Sequence, residues 1–506
     1  MIMMQKVKLL CAAAALLLSA HTLRAGEDAD SVAVPITYNL ELNATVSGGD
    51  NTPFWLVNNR NGLSSIEKNN GYFRAGMFRE AVKPSHEKRF SWGFGADVAA
   101  TWNFSSSFVI QQLYGEIRYR CLGLTVGAKQ RYNEGFQNNR LSSGNLLFSP
   151  NARPIPQARI AIPDYVDVPF TNKWLAVKAD LAFGAFTDQR WQKSWVADSA
   201  RRTRKVLFHE KSLDIRIGNR DHFPLVFEGR LAMAAQFGGQ SIAQGKTTNM
   251  SHGIKDWWKV ISAQGGDSDV PEGEQKNSYG NHVGDWNFRL TYAPKDAEWA
   301  VKAYYDHFFE DHSMMFFNYK WRDMLLGFEG NLPHNPFVSN IAYEYLYTKN
   351  QSGPVFWNNR PNHPEQVSGR DDYYNHQIYT GWQHWGMGIG NPLLLSPIYN
   401  KDHLIYFHHN RLIAHHLGFD GNPTPWLSWR VLLTYTRSWG TYDVPTANVE
   451  KNFNTLVEVT YTPTSPKLSG WSATLGLATD GGDMIGQSRG AMLTIRKTGI
   501  ICKTKR

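Results

Sequence analysis

The residues best equipped for chemistry are scattered along the chain and form no reacting set. GQSRG at 486–490 satisfies G-x-S-x-G. A nucleophile elbow needs a strand before its serine and a helix after it. Here a Gly/Asp-rich turn, TDGGDMIG, precedes Ser488, and AMLTIRK after it alternates like a strand. Ser488 is therefore not expected to act as a nucleophile. Seven histidines (His376, His384, His403, His408, His409, His415 and His416) crowd one region. Their spacing fits no zinc pattern and H-E-x-x-H is absent. On strands His408 and His409 would face opposite sides, as would His415 and His416, so lumen or girdle histidines are expected, with no metal and no other cofactor. Asp480 with Asp483, and Asp371 with Asp372, could be imagined as glycosidase carboxylates. Such pairs need a defined separation through space, and acidic turns are commoner. The chain is read as a non-enzyme.

Binding chemistry is better represented. Sugars stack apolar faces on rigid, amphipathic Trp and Tyr rings, while Asn, Asp, Arg and His hold their hydroxyls and acidic groups. Trp257-Trp258 and DDYYNHQIYTGWQHWGMGIGNPLLLSP (371–397) are the richest such clusters. The candidates for polysaccharide contact are Trp257, Trp258, Arg370, Tyr373, Tyr374, Trp382, His384 and Trp385. Aromatics of the same kind also anchor membrane interfaces, and both readings stand at this point.

The elements that must carry these residues begin with export. Lys6 and Lys8 precede an apolar run, Leu9–Ala20, and Leu23-Arg24-Ala25 offers a cleavage site, the order of a secretory signal. The run is about a dozen residues, short of the roughly 20 that span a bilayer. Residues 1–25 are expected to be removed, and losing Lys6, Lys8 and Arg24 takes the net charge from +9 to +6. Cys11 lies inside the apolar run, which disfavours a lipoprotein. Cys121 and Cys502 remain, too few for a disulfide scaffold, and their pairing is left open. No Lys/Arg block marks a nucleic-acid footprint, whereas dispersed basic groups suit acidic glycan or lipid head groups.

After the signal no 18-residue apolar run occurs, but membrane barrels show only alternating segments of about ten residues. SWGFGADVAATW places Trp92, Phe94, Ala96, Val98, Ala100 and Trp102 on one face and Ser91, Gly93, Gly95, Asp97, Ala99 and Thr101 on the other. Trp92 and Trp102 would stand roughly 33 Å apart along a strand at about 3.3 Å per residue. Tilted, that projects to roughly the 25 Å between aromatic girdles. Runs at 174–186, 225–237, 285–293 and 470–479 repeat the pattern, and others begin near Tyr38, Tyr72, Phe108, Leu122, Val206, Trp299, Phe337, Trp429 and Thr455. About 16 to 18 strands are expected, in an all-β, closed antiparallel transmembrane barrel. Soluble sandwiches, propellers and β-helices also alternate. Two features favour the membrane: mid-strand Lys178, Asp180, Glu228, Arg230 and Arg289 suit a wet lumen, and 18 Trp, 22 Tyr and 27 Phe stand in many cases at strand ends, where interfacial belts form. Residues 26–506 are read as one barrel domain, with polar stretches 187–204, 238–283 and 349–401 as external loops.

One segment resists that scheme. SSGNLLFSPNARPIPQARIAIPDYVDVPF (142–170) packs five prolines, Pro150, Pro154, Pro156, Pro163 and Pro169, into twenty positions. It is too proline-rich for a central strand and too apolar for a solvated linker. It is expected to fold inward as a plug, or to lie against one mouth of the barrel, with Ile155, Ile160, Ile162 and Val166 on the barrel wall and Arg153, Gln157 and Arg159 bonding backbone or lumen groups. An ordinary long loop is the alternative.

This segment, with NTPFWLVNNRNGLSS (51–65), GYFRAGMFR (71–79) and the 371–397 stretch, resembles the capsule assembly Wzi family in the form seen in Bacteroidetes. The similarity runs from about residue 36 to 498. Its motif positions here include Pro53, Phe54, Trp55, Asn59, Arg60, Asn151, Arg153, Pro154, Pro156, Gln157, Trp382, Gly390, Asn391 and Pro392. The resemblance implies an outer-membrane barrel of about 18 strands that acts as a lectin for capsular or other surface polysaccharide. It also implies a small helical or irregular part on the periplasmic side. Outer-membrane lipid and the capsule export machinery are further expected partners, the working unit a monomer, and nucleic acid is not a partner. The rival functions are a porin and a secreted glycan-degrading enzyme. The tail Ile500–Arg506 is expected to overhang the closing strand AMLTIRKTG.

Overall fold

The computed structural model describes residues 34–84, 89–131, 136–263, 279–310, 315, 321–333, 335–351, 356–357, 367–368 and 371–504. The signal segment and Arg370 lie outside them. Eighteen antiparallel strands, from Val34–Gly49 to Ser488–Thr504, pair each with its sequence neighbour. The first and last strands then pair with each other, from Val34↔Thr504 to Gly49↔Ser488. Closure matters because hydrocarbon offers no partner for a free N–H or C=O.

The period of two sets the two faces. On Phe90–Trp102, Ser91, Asp97, Ala99 and Thr101 are buried inward while Trp92 and Val98 are uncovered outside. Leu113, Ile117, Val126, Leu213, Leu475 and Leu477 on other strands extend the outer apolar band. Inward charges are paired: Arg74 with Asp97 (2.6 Å), Arg159 with Asp180 (2.8 Å), Lys302 with Glu329 (3.2 Å), and Arg289 with Glu228. A charge removed from water needs such a partner.

Connections at one end are short, two residues at 120–121 and at 425–426, whereas 50–68, 129–156, 186–206, 238–280 and 348–411 all lie at the other. In outer-membrane barrels the long connections are external. The three α-helices of the described residues, Phe54–Val57, Gln189–Trp195 and Ile254–Ser262, are in these long connections. The described helices thus lie at the opposite mouth from the periplasmic one, where the resemblance implies a small helical or irregular part. Among the described residues the short end holds just the 3-10 turn Pro466–Leu468.

Three long-end segments, 50–68, 136–156 and 371–411, turn into the lumen and pack as one core. Phe54, Trp55, Leu146, Leu147, Trp382 and Phe407 meet the wall residues Ala232, Tyr304, Leu346 and Leu456 there. The wall presents carboxylates, and the inserted backbone donates to them: Phe54 N–H to Asp480 (2.7 Å), Asn138 N–H to Glu329 (2.6 Å), Ser143 N–H to Glu344 (2.8 Å), Leu146 N–H to Asp306 (2.8 Å), Tyr374 N–H to Glu310 (2.8 Å). Irregular backbone is tolerated at membrane depth where protein encloses it in this way.

Two expectations need correction. Only the first half of 142–170 lies inside. Gln157–Asp167 is a barrel strand, with Ile160 and Val166 facing outward and Arg159 and Gln157 on the inner wall beside Asp180 and Glu210. Pro163 is accommodated because the register with Leu175–Ala185 slips between Ile162 and Val166, a bulge that asks no ladder bond of it. The tail also differs: Ile500–Thr504 continues the closing strand, paired with Thr37–Val34 across a bulge. Cys121 and Cys502 are unpaired.

Candidate functional site

Four of the proposed sugar contacts are interior residues. Trp382 is 0 % exposed and donates its Nε1–H to Leu147 O (2.8 Å), and Tyr373 donates Oη–H to Asp323 (3.0 Å). Tyr374 Oη accepts the Asn391 N–H (2.9 Å), and His384 Nδ1 lies 2.9 Å from Arg153 O. These side chains hold the lumenal core together and are closed to a polymer. Their polarity, which reads as external in the sequence, is spent on wall carboxylates and inserted backbone. Trp257 is set apart as well. Met233, Ala235 and Phe237 alternate with lumen-facing residues, so they point outward, yet they are buried. The helix Ile254–Ser262 covers that outer wall, with the Trp257 ring 4.6 Å from Phe183 and 5.7 Å from Phe237. Trp258 turns away, 66 % exposed. Neither tryptophan joins the others.

Trp385 does reach a cleft. A cavity of about 400 Å³ opens at the long-loop end, lined by Trp191, Trp195, Trp385, Arg153, Glu67 and Asn103 among others. Trp191 and Trp195 are four apart on the helix Gln189–Trp195, a spacing that puts both on one face, and their rings stack at 5.0 Å and 23°. That W-x-x-x-W was legible in QRWQKSW but was missed beside the denser aromatic clusters. Trp385 and Gly386 form the two-residue turn of a small hairpin, Gln383–His384 with Met387–Gly388. Both have positive φ, 59° and 79°, as a type I′ turn demands. A bulky residue in this conformation is strained, and such strain collects at ligand clamps. A Cβ on Gly386 would stand 2.7 Å from the Trp191 ring, so the glycine also seats that ring.

Arg153 joins the cleft to the plug. Its guanidinium lies 4.4 Å over the Trp385 ring, Nε donates to Gly62 O (3.3 Å) and Nη2 to Ser105 Oγ (3.1 Å). Asp188 is buried nearby, its Oδ2 occupied by the Gln192 and Gln383 amides (3.1 Å each) and the Trp385 N–H (3.3 Å). Arg153 also lines a second cavity of about 80 Å³, rich in carboxamides from Asn59, Asn61, Gln130, Gln137 and Asn145.

The remaining reactive-looking groups have structural roles. Ser488 begins the last strand, and its Oγ accepts the Asn51 N–H (3.0 Å). Asp480 caps Phe54, and Asp372 accepts from Tyr406 (2.8 Å). His415 faces out and His416 in. Among the described residues no cluster of three His, Cys, Asp or Glu could hold a metal.

A family model described as capsule assembly protein Wzi matches residues 140–393, half of the chain. The chain belongs to the Wzi capsule assembly family. The matched span takes in the inserted segment 136–156 almost whole and the hairpin bearing Trp385. Among solved structures, the outer-membrane protein Wzi of Escherichia coli, involved in group 1 capsule assembly and described as a carbohydrate-binding β-barrel, is 12% identical, with a TM-score of 0.56, over 90% of this chain and 83% of its own. OpdL of Pseudomonas aeruginosa is 9% identical, with a TM-score of 0.48, over 92% and 99%. No curated protein matches the chain in sequence. The Wzi-family chain is an outer-membrane β-barrel, and its motif residues converge inside it. The Asn59 N–H donates to Asn151 Oδ1 (3.1 Å), Asn391 Nδ2 to Ser143 Oγ (3.0 Å), and Trp55 Nε1 to Thr434 (3.1 Å). These family positions build the plug on which the cleft rests.

One plug contact should respond to pH. Asp323 is 1 % exposed and accepts from Tyr373 Oη and the Asn350 N–H, 3.0 Å each. Burial pushes its pKa up to about 7. The folded state therefore keeps the proton that the unfolded chain releases near pH 4. Its stabilising share is fully present below about pH 4 and is lost as pH rises through 7. Asp323→Asn should remove that slope, at most about 1.4 kcal/mol per pH unit. Heat-induced loss of the compact gel band, followed from pH 4 to 8, reads it, and parallel curves for the two proteins would refute the assignment.

Proposed function

We propose that this barrel binds capsular or other surface polysaccharide without covalent chemistry and holds it at the outer face of the membrane. The observation that carries the reading is the cleft in which Trp195 and Trp385, backed by the buried Trp191, stand beside Arg153 at the long-loop mouth of a Wzi-family barrel. Flat indole faces suit pyranose rings, and the Ser, Asn and Glu groups beside them suit hydroxyls. The E. coli Wzi, described as carbohydrate-binding, supports it. Trp258 and Ile254, uncovered on the outer wall, are suited to lipid. The unit is a single chain working beside the capsule export machinery, and it catalyses nothing.

Deleting the gene and staining for capsule tests the role. Polymer should leave the cells and collect in the medium. Attachment equal to that of the parent strain would overturn it.

A further inference from the structure

From the surroundings of Arg153 we infer that the tryptophan cleft is selective for an acidic sugar, a pyranose carrying a carboxylate that sits on the free edge of this guanidinium while its ring lies against Trp385. The inference rests on the polysaccharide-binding reading and narrows it.

Basic groups on the inner wall of this protein are paired with carboxylates. Arg74, Arg159, Arg289, Arg430 and Lys302 each pair with a carboxylate. Arg153 breaks that rule. It is 8 % exposed, and no carboxylate of the described residues makes an ion pair with it. What it has instead is neutral: a carbonyl on Nε, a hydroxyl on Nη2 and an indole face. Nη1 has no protein acceptor among the described residues. A guanidinium is a rigid fork suited to carboxylates, and one that is desolvated without a counter-charge is costly. Burial accordingly pushes its pKa down to about 10, against a weaker pull from Asp188. Asp188 itself is turned aside by three N–H donors. The one further acid of the cleft, Glu67, is on its exposed rim.

The geometry also explains why the cation is held there. Gly62, Ser105 and Trp385 come from three separate connections, and all three hold the guanidinium against the cleft. A guanidinium needed only as a brace could be replaced by a neutral amide at less desolvation cost. The indole beneath it adds direction, because a ligand carboxylate approaching the guanidinium edge brings its ring alongside Trp385 and toward Trp191 and Trp195. Charge fixes one substituent and stacking fixes the plane, so a neutral polymer would lose the first contact and keep the second.

The test uses purified full-length barrel in detergent and the surface polysaccharide of the producing cells, presented native and after chemical reduction of its carboxyls to alcohols. The native polymer should bind at least about tenfold more tightly than the reduced one, the worth of one charge-assisted hydrogen bond. Arg153→Gln, whose shorter side chain keeps a donor near Gly62 O, should erase that difference. Compact gel mobility before heating verifies that the variant is folded. If native and reduced polymers bind alike, or if Arg153→Gln keeps the preference, the acidic-sugar inference fails while polysaccharide binding stands. If neither form binds, the polysaccharide reading falls and takes this inference with it.

Discussion

Gly390→Ala should loosen the plug while leaving the barrel standing. A Cβ at Gly390 would lie 2.0 Å from Tyr374 Oη and 2.1 Å from Leu146 O. Those two atoms are bonded to each other, and Tyr374 Oη also accepts the Asn391 N–H at 2.9 Å. The methyl therefore meets a backbone carbonyl and a fully buried phenol, neither of which has a rotamer to retreat to. Overpacking costs about 1–3 kcal/mol, and separating Tyr374 from Leu146 strands a buried donor for about 1–3 more. The wall does not share this loss, because its ladder is continuous from strand to strand. Two measurements read the result. Planar-bilayer conductance should rise well above that of the parent protein, whose lumen is filled by the three inserted segments. Heat-modifiable gel mobility should persist. Parent-like conductance together with parent-like protease resistance of residues 371–411 would show that the contact is not a latch.

Trp385→Asn should weaken polymer binding by about 30-fold, the loss of one anchor worth about 2 kcal/mol. Asparagine is the chosen replacement because a type I′ turn favours Asn-Gly, so the hairpin at φ 59° and 79° gains comfort as it loses the ring. Trp258→Ala is the matched control. It removes an indole that is 66 % exposed on the outer wall and is not part of the cleft's lining, and should leave binding intact. Equal losses in the two variants, measured by calorimetry with extracted surface polysaccharide, would assign the effect to general instability and discard the cleft.

The wall was legible from residue order alone, since a period of two is a local property. Trp92 and Asp97 declare opposite faces within SWGFGADVAATW, and the structure puts them there. What lies inside the wall was harder to read, because its logic is non-local. Tyr373 and Trp382 resemble sugar contacts until Asp323 and Leu147 are seen beside them, and those partners are 50 and 235 residues away. Proline counting likewise took Gln157–Asp167 for plug. Pro163 is tolerable in a strand only because of a register slip with Leu175–Ala185, and one strand's sequence does not disclose its neighbour's register. Trp191 and Trp195 were a missed local signal, readable at helical spacing.

The bond from Phe54 N–H to Asp480 spans 426 residues, and that from Trp55 Nε1 to Thr434 spans 379. Contacts so distant in sequence form only after the loop between them has closed, which makes them late events in folding. The segment at 50–68 follows directly on the first strand, yet its acceptors stand on strands that begin at Leu427 and Trp471. It must therefore wait, unsecured, while nearly the whole wall is laid down. Assembly of this protein ends near where its chain begins, at the closing seam of the wall and the plug beside it.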